Sequence, residues 1–228
     1  MAERALDDAG VAALAAVLAR AGALTFGDLR TKSGRPTPYF VDLGRVATGR
    51  DLAELAERYA DGIERVFLPP HGPGIDLLFG PAYKGIPLAV ATGVALAARG
   101  HDVGVAFDRK EAKDHGEGGT LVGRRPRDGD RVLIVEDVTT AGTSVRAAVP
   151  LLRAAADVRV VGVLVAVDRR ERLDLDDPAS PAALDALGAE FDLVPAALAP
   201  IADLVAALDL ADADRARIAA HLDRVGPR

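Results

Sequence analysis

The stretch RVLIVEDVTTAGTSVRAA, Arg131 to Ala148, limits the fold more than any other part of the chain. Val132, Leu133, Ile134 and Val135 form an apolar run with no alternation, and such a strand needs cover on both of its faces. The run stops at two acids, Glu136 and Asp137, and small or hydroxylated residues follow to Ser144. A helical pattern then begins. Comparable runs occur at 75–79, 103–107 and 158–167, with helical patterns at 6–21, 51–63, 85–98, 144–155 and 181–187. Apolar strands interleaved with helices predict an α/β fold, a mainly parallel central sheet flanked by helices. Asp51 is the expected N-cap of the second helix. Residues 22–37 read as a loop, Tyr39–Leu43 as a short strand, Phe191–Val194 as an edge strand, and two short helical patterns close the chain. There is no internal repeat and no domain-sized linker, so residues 1–228 read as one domain. Pro69–Gly74 has the composition of an inserted loop.

Half of the 228 residues are hydrophobic, enough for one sizeable core. A net charge of −6 provides no general basic field for nucleic acid. The absence of cysteine excludes thiolate catalysis and cysteine-based metal sites. Glu3, Arg4, Asp7 and Asp8 interrupt the start of the chain, unlike a secretory leader. No uncharged apolar run approaches the roughly 20 residues of a membrane span. A cytoplasmic location is expected, without membrane or nucleic-acid partners.

A strand, a small-residue loop and a helix in that order offer free backbone N–H groups to an anion. Gly142 permits close backbone approach, and Thr139, Thr140, Thr143 and Ser144 carry hydroxyl donors. Neither of the common glycine-rich nucleotide motifs is present. Two carboxylates beside the cradle would repel a bare phosphate, but they are good acceptors for vicinal hydroxyls. The combination suits a sugar phosphate.

The segment VLIVEDVTTAGTS resembles the phosphoribosyl pyrophosphate (PRPP) signature of the type I phosphoribosyltransferases. The resemblance implies that Glu136 and Asp137 hold the ribose 2′ and 3′ hydroxyls. Val138, Thr139, Thr140, Ala141, Gly142, Thr143 and Ser144 would then wrap the 5′-phosphate. DRKEAKDHGEGG, from Asp108, resembles the catalytic loop of the orotate phosphoribosyltransferase family. It implies a mobile lid at 109–119 whose Arg109, Lys110, Lys113 and His115 meet the departing pyrophosphate. FGPAYKGIPLA matches the same family and implies PRPP contacts from Tyr83 and Lys84. KSGRPTPYF implies a substrate contact from Lys32 and a pocket for the flat base lined by Tyr39 and Phe40, with Thr140 nearby. In VDRRER, Arg169 is the candidate partner of a base carboxylate, since a planar guanidinium can bind one bidentately; Arg170 and Arg172 read as solvated.

By that resemblance the chain is a PRPP-dependent transferase for orotate, with a small N-terminal hood over about residues 1–45. Mg²⁺ would be held mainly through PRPP and not by protein ligands directly. A homodimer sharing its lids across subunits is implied as well. A transferase for a purine or uracil should lack the RKEAKDHGEGG loop. A PRPP-sensing regulator should carry a basic DNA-binding element, and the alanine-rich N-terminal helix has none.

Overall fold

A computed structural model describes residues 1–30, 34, 36–113, 119–139 and 141–227, with the backbone alone at 110–113 and 119. Nine strands and seven helices are found among these residues. In chain order they are β1 (Glu3–Arg4), α1 (Asp8–Arg20), β2 (Leu24–Arg30), β3 (Pro36–Val41), α2 (Gly49–Val66), β4 (Leu77–Gly80), α3 (Gly85–Ala98), β5 (Gly104–Lys113) and β6 (Gly119–Gly123). Then come β7 (Arg131–Val138), α4 (Thr143–Ala155), β8 (Arg159–Asp168), α5 (Ala183–Phe191), β9 (Val194–Pro200), α6 (Ile201–Ala207) and α7 (Asp212–Val225). The main sheet runs β1-β9-β8-β7-β4-β5-β6, parallel throughout except for the β5–β6 pair at one edge.

The unbroken apolar strands are explained by two cores, one on each face of this sheet. Leu78, Leu133, Val135, Leu164 and Ala166 point to the side covered by α1, α2, α3 and α6. Their neighbours Leu77, Phe79, Ile134, Val163 and Val165 point to the side covered by α4 and α5. Successive strand residues face opposite ways, so a strand covered twice has no polar position to spare until it leaves the sheet. On β7 the first acids come at Glu136 and Asp137, near the carboxyl end of the strand, which stays paired with β8 through Val138.

Several boundaries differ from those read in the sequence, each for a local reason. Residues 24–30 are a strand, paired antiparallel with β3 in a separate two-stranded sheet. Gly27 and Asp28 look like breakers, but the register shifts between Phe26 and Leu29, so they sit in a bulge. The strand read at Tyr39–Leu43 starts earlier, at Pro36, and gives way to a 3-10 turn at Leu43–Arg45. The cap of α2 is Thr48, whose hydroxyl accepts from Asp51 N at 3.1 Å and donates to Asp51 Oδ2 at 2.7 Å; Asp51 Oδ1 also accepts from Arg20 Nε. In the segment read as a loop at 109–119, the backbone continues β5 through Lys113 and resumes as β6 at Gly119. Phe191 ends a helix, and the strand read at its position lies at 194–200. That strand, β9, is interior: the N-terminal β1 pairs on its outer side, with Ala5 N donating to Ala197 O at 2.7 Å. Two prolines in VPAALAP hide it from propensity arguments. Among the described residues no helix is long and apolar enough to cross a membrane.

The β2–β3 ribbon lies across the carboxyl ends of the sheet, where open α/β folds place ligands. Asp42, just after β3, reaches Lys84 beyond β4, and Tyr39 reaches Glu171 beyond β8. From below, Tyr59 of α2 is fully buried and donates to the main-chain oxygen of Glu136 at 2.7 Å. Replacing Tyr59 by phenylalanine should lower the unfolding free energy by about 1–3 kcal/mol. Denaturant unfolding measures this; a loss under about 0.5 kcal/mol would mean that the tie adds nothing.

Candidate active site

Glu136 lies two residues before the end of β7 with only 6% of its surface exposed, and its Oε1 accepts from Asp137 N at 3.0 Å. Burial pushes its carboxyl up to about 7, and the charge of Asp137 adds to the shift, while the Ser144 hydroxyl opposes it. The chain then turns through Thr139, Ala141 and Gly142, with Thr140 outside the described residues. Gly142 takes a left-handed conformation at φ 69°, and an added Cβ would lie 2.7 Å from the Leu187 side chain. It stands at the N-cap of α4 and supplies no side-chain cap. The first N–H groups of α4, from Thr143 and Ser144 onward, are therefore available to an anion. The Thr139 hydroxyl is buried with no hydrogen-bond partner among the described residues. A buried hydroxyl without a partner is costly unless a ligand supplies one.

The loop after β4 brings a cation to the acids. An added Cβ at Gly80 would meet the Gly85 carbonyl oxygen at 2.1 Å, so this strand-to-helix turn is closed by glycine. Ala82 N donates to Asp108 Oδ1 at 2.7 Å, which ties the loop to β5. The peptide between Ala82 and Tyr83 is cis, and Tyr83 is largely exposed. Lys84 Nζ lies 3.0 Å from Asp137 Oδ2 and 3.0 Å from Asp42 Oδ1. Burial lowers the lysine's pKa, but the two carboxylates outweigh it and raise the balance; Lys84 in turn lowers that of Asp42. Lys84 thus joins the loop after β4 to Asp137 of β7 and to Asp42 beyond β3. Asp42 was not anticipated, because an acid in a short turn carries no signal until its partner is seen.

Beyond β8 lies a second cluster. Arg169 is 7% exposed, and its Nε and Nη2 donate to Glu171 Oε1 at 3.1 and 2.7 Å. The hydroxyl of the buried Tyr39 donates to the same oxygen at 2.9 Å, and the Arg169 guanidinium lies 5.1 Å from the Tyr39 ring centre. With these donors around it, Glu171 is held down at about 2 although burial pulls the other way. Desolvation drives the Tyr39 hydroxyl upward, so it stays protonated. Phe40, at 37% exposure, points away from the core. A cavity of about 170 Å³ is lined by Thr139, Ala141, Asp168 and Arg169, joining this cluster to the phosphate cradle. A second, of about 290 Å³, lies among Pro36, Thr37, Arg169, Glu171 and His221.

Of the other arginines of VDRRER, Arg170 stays partly exposed, and Arg172 is the one that departs from the solvated position read in the sequence. Arg170 pairs with Asp185 at 3.1 Å. Arg172 is buried and donates to the carbonyls of Asp177 and Arg224, at 3.0 and 2.9 Å, anchoring the end of α7. Arg109 is half-buried on β5. Lys32 and His115 lie outside the described residues, as do the side chains of Lys110 and Lys113. Sequence reasoning missed Glu171 and His221. The first stood inside a quoted motif with no chemistry of its own; the second had no pattern around it.

Comparison with known proteins matches residues 50–179 to the phosphoribosyl transferase domain family. An orotate phosphoribosyltransferase of Bifidobacterium longum is 46% identical over 208 residues, covering 90% of this chain and 88% of the relative. The crystal structure of the Francisella tularensis orotate phosphoribosyltransferase superposes with a TM-score of 0.76 at 30% identity, covering 92% of this chain and 93% of that one. The Mycobacterium tuberculosis enzyme in complex with PRPP superposes with a TM-score of 0.61 at 25% identity, covering 86% of this chain and 99% of that one. Carboxylates and an open helix N-terminus at the end of β7, beside a guanidinium-lined cavity, are thus found in a chain that belongs to the phosphoribosyltransferases, among the orotate phosphoribosyltransferases.

Proposed function

We propose that this protein joins orotate to the ribose 5-phosphate of PRPP, giving orotidine 5′-monophosphate and pyrophosphate in pyrimidine nucleotide synthesis. The observation that carries the reading is the junction between the β7 cradle and the Arg169 cavity. It sets a place for a phosphorylated sugar next to a place for a flat anionic base. N1 of the base gives up its proton to solvent and bonds to C1′ as the C1′–pyrophosphate bond breaks, so positive charge grows on the ribose and negative charge on the leaving group. Asp137 and Glu136 face the first. Lys84, with Arg109, Lys110, Lys113 and His115 of the 109–119 lid, faces the second, and such preorganised charges act most strongly in a site closed to water. Lys32 and Thr140 complete the substrate contacts in this reading.

The donor set suits a Mg²⁺ ion carried in by PRPP. Asp42 and Asp137 each commit an oxygen to Lys84, and Glu136 beside Asp137 is buried and accepts from Asp137 N. The bound ion would neutralise charge on pyrophosphate. Pyrophosphate release with orotate should require Mg²⁺ and fall to little or nothing with adenine, hypoxanthine or uracil. Faster turnover of any of these bases than of orotate would refute the assignment.

The pKa of Glu136 makes a second test. Its folded value of about 7 exceeds the ordinary 4.5, so between these pH values the folded state binds the proton more tightly. Stability is therefore greatest near the lower value and declines as the pH rises through about 7. Glu136→Gln should escape that decline and be more stable than the parent at pH of about 8, by roughly 1–3 kcal/mol. PRPP affinity should fall in the variant, and in the parent as the pH drops below about 7, because a protonated carboxyl is a poorer acceptor for hydroxyls. Equal stability at both ends of the pH range would show that Glu136 does not titrate as described.

We further infer a homodimer in which each lid closes over the neighbouring site. Support comes from α3, which is apolar around its whole circumference yet leaves Val90 and Val94 exposed. A helix apolar on every side needs cover on every side. Lys113→Ala and Asp137→Ala, each inactive alone, would be unfolded together and refolded as a mixture. With shared lids, a mixed dimer has one intact site, so roughly a quarter of all sites should recover. With lids serving their own subunit, the mixture stays as inactive as its parents.

A further inference from the structure

The C-terminal helix α7 brings a histidine to the cluster around Arg169. Ile218, His221 and Val225 form its buried face, and the helix packs on β3. The imidazole of His221 meets the Tyr39 ring edge-on, with centres 5.8 Å apart at 89°. Arg224 Nη2 lies 3.1 Å from His221 Nδ1. A guanidinium can only donate, so Nδ1 accepts and the ring proton resides on Nε2. That nitrogen faces Glu171 Oε1 at 3.5 Å, the oxygen that already takes Tyr39 and both bonds from Arg169. The end of α7 is itself fastened to the loop beyond β8, since Arg172 N donates to Val225 O at 2.9 Å.

Glu171 holds Arg169 by the Nε–Nη2 edge. The Nη1 side remains for a substrate carboxylate, and its aim depends on where Glu171 stands. We propose that His221 is a positioning residue of the base site: acting through Glu171, it holds the Arg169 guanidinium with one edge turned to the carboxylate of the base. The proposal rests on the reading of Arg169 as that carboxylate's partner. It assigns to the C-terminal helix a part in choosing an anionic base over a neutral one. A helix that served packing alone would be better served by leucine, since a buried imidazole needs partners for both nitrogens. Here both partners belong to the wall of the 290 Å³ cavity.

The test compares His221→Leu, which keeps bulk without donor or acceptor, with His221→Gln, whose amide keeps one of each. His221→Leu should raise the KM for orotate about tenfold, leave the KM for PRPP within about twofold, and narrow the preference for orotate over uracil. His221→Gln should return the orotate KM to within about threefold of the parent. The effects of His221→Leu and Glu171→Gln should fall short of adding in the double variant, because one acts through the other. Ile218→Val, which loosens the same helix face, should lower the unfolding temperature and leave the orotate KM unchanged. If His221→Leu does not fold, Arg224→Leu replaces it: freeing Nδ1 lets the proton move off Nε2, with an expected rise of about threefold. The proposal is overturned if the folded variant keeps the parent's orotate KM, if both substrates' KM values rise together, or if glutamine rescues nothing. A parent protein that does not turn over orotate would instead overturn the functional reading itself.

Discussion

Strand β7 runs through the middle of the sheet, between β4 and β8, and the whole site depends on where it stops. Its residues are covered from both faces as far as Glu136, whose main-chain oxygen is pinned from below by Tyr59. The acid therefore emerges at a depth where water solvates it poorly, which is why its carboxyl titrates near neutrality. Beyond Val138, where the strand ends, the chain turns into Gly142 and α4. A buried acceptor for hydroxyls and an open helix N-terminus thus lie within one short turn. Neither could serve without the other: the helix end alone would take any anion, and the acids alone would repel a phosphate.

Charge balance ties the remaining parts to this point. Lys84 stands between Asp137 and Asp42, so β4, β7 and the end of β3 meet in one three-group cluster. On the other side Arg169 is neutralised by Glu171, which is braced by Tyr39 of β3 and His221 of α7. Each cation is thus held by an acid of the protein, and what differs between the clusters is rigidity. Lys84 is half exposed on a flexible stem, whereas Arg169 is buried and braced from several elements. The first group is free to follow a neighbouring charge; the second is fixed in one orientation.

The small β2–β3 sheet and α7 together roof this arrangement. Tyr39 is fully buried although it belongs to a two-stranded ribbon, which is marginal by itself. Its cover comes from α7 and its tether from Glu171. The termini of the chain therefore take part in the architecture from both ends. β1 closes one edge of the main sheet, and α7 covers the β2–β3 ribbon at β3.

The sequence alone determined the parts whose chemistry is local. Apolar runs without alternation specified a doubly covered parallel sheet, and the order Glu136, Asp137, hydroxyls, Gly142 and helix specified acids at a strand end followed by a glycine turn into a helix with an open N-terminus. Tyr83–Lys84 and Arg169 were legible in the same way, as polar residues set against a strand end. Elements whose stability comes from distant partners were not legible. β2 carries a bulge that looks like a break, β9 is made of alanine and proline, and β1 has two residues. Only the tertiary structure decided that Asp42 shares Lys84 with Asp137, that Arg172 is buried and not solvated, and that Glu171 and His221 stand together, 50 residues apart in the chain. The reason is physical. A periodicity reports which face of an element is buried, but which charged side chain finds which partner is settled by the packing of elements far apart in sequence.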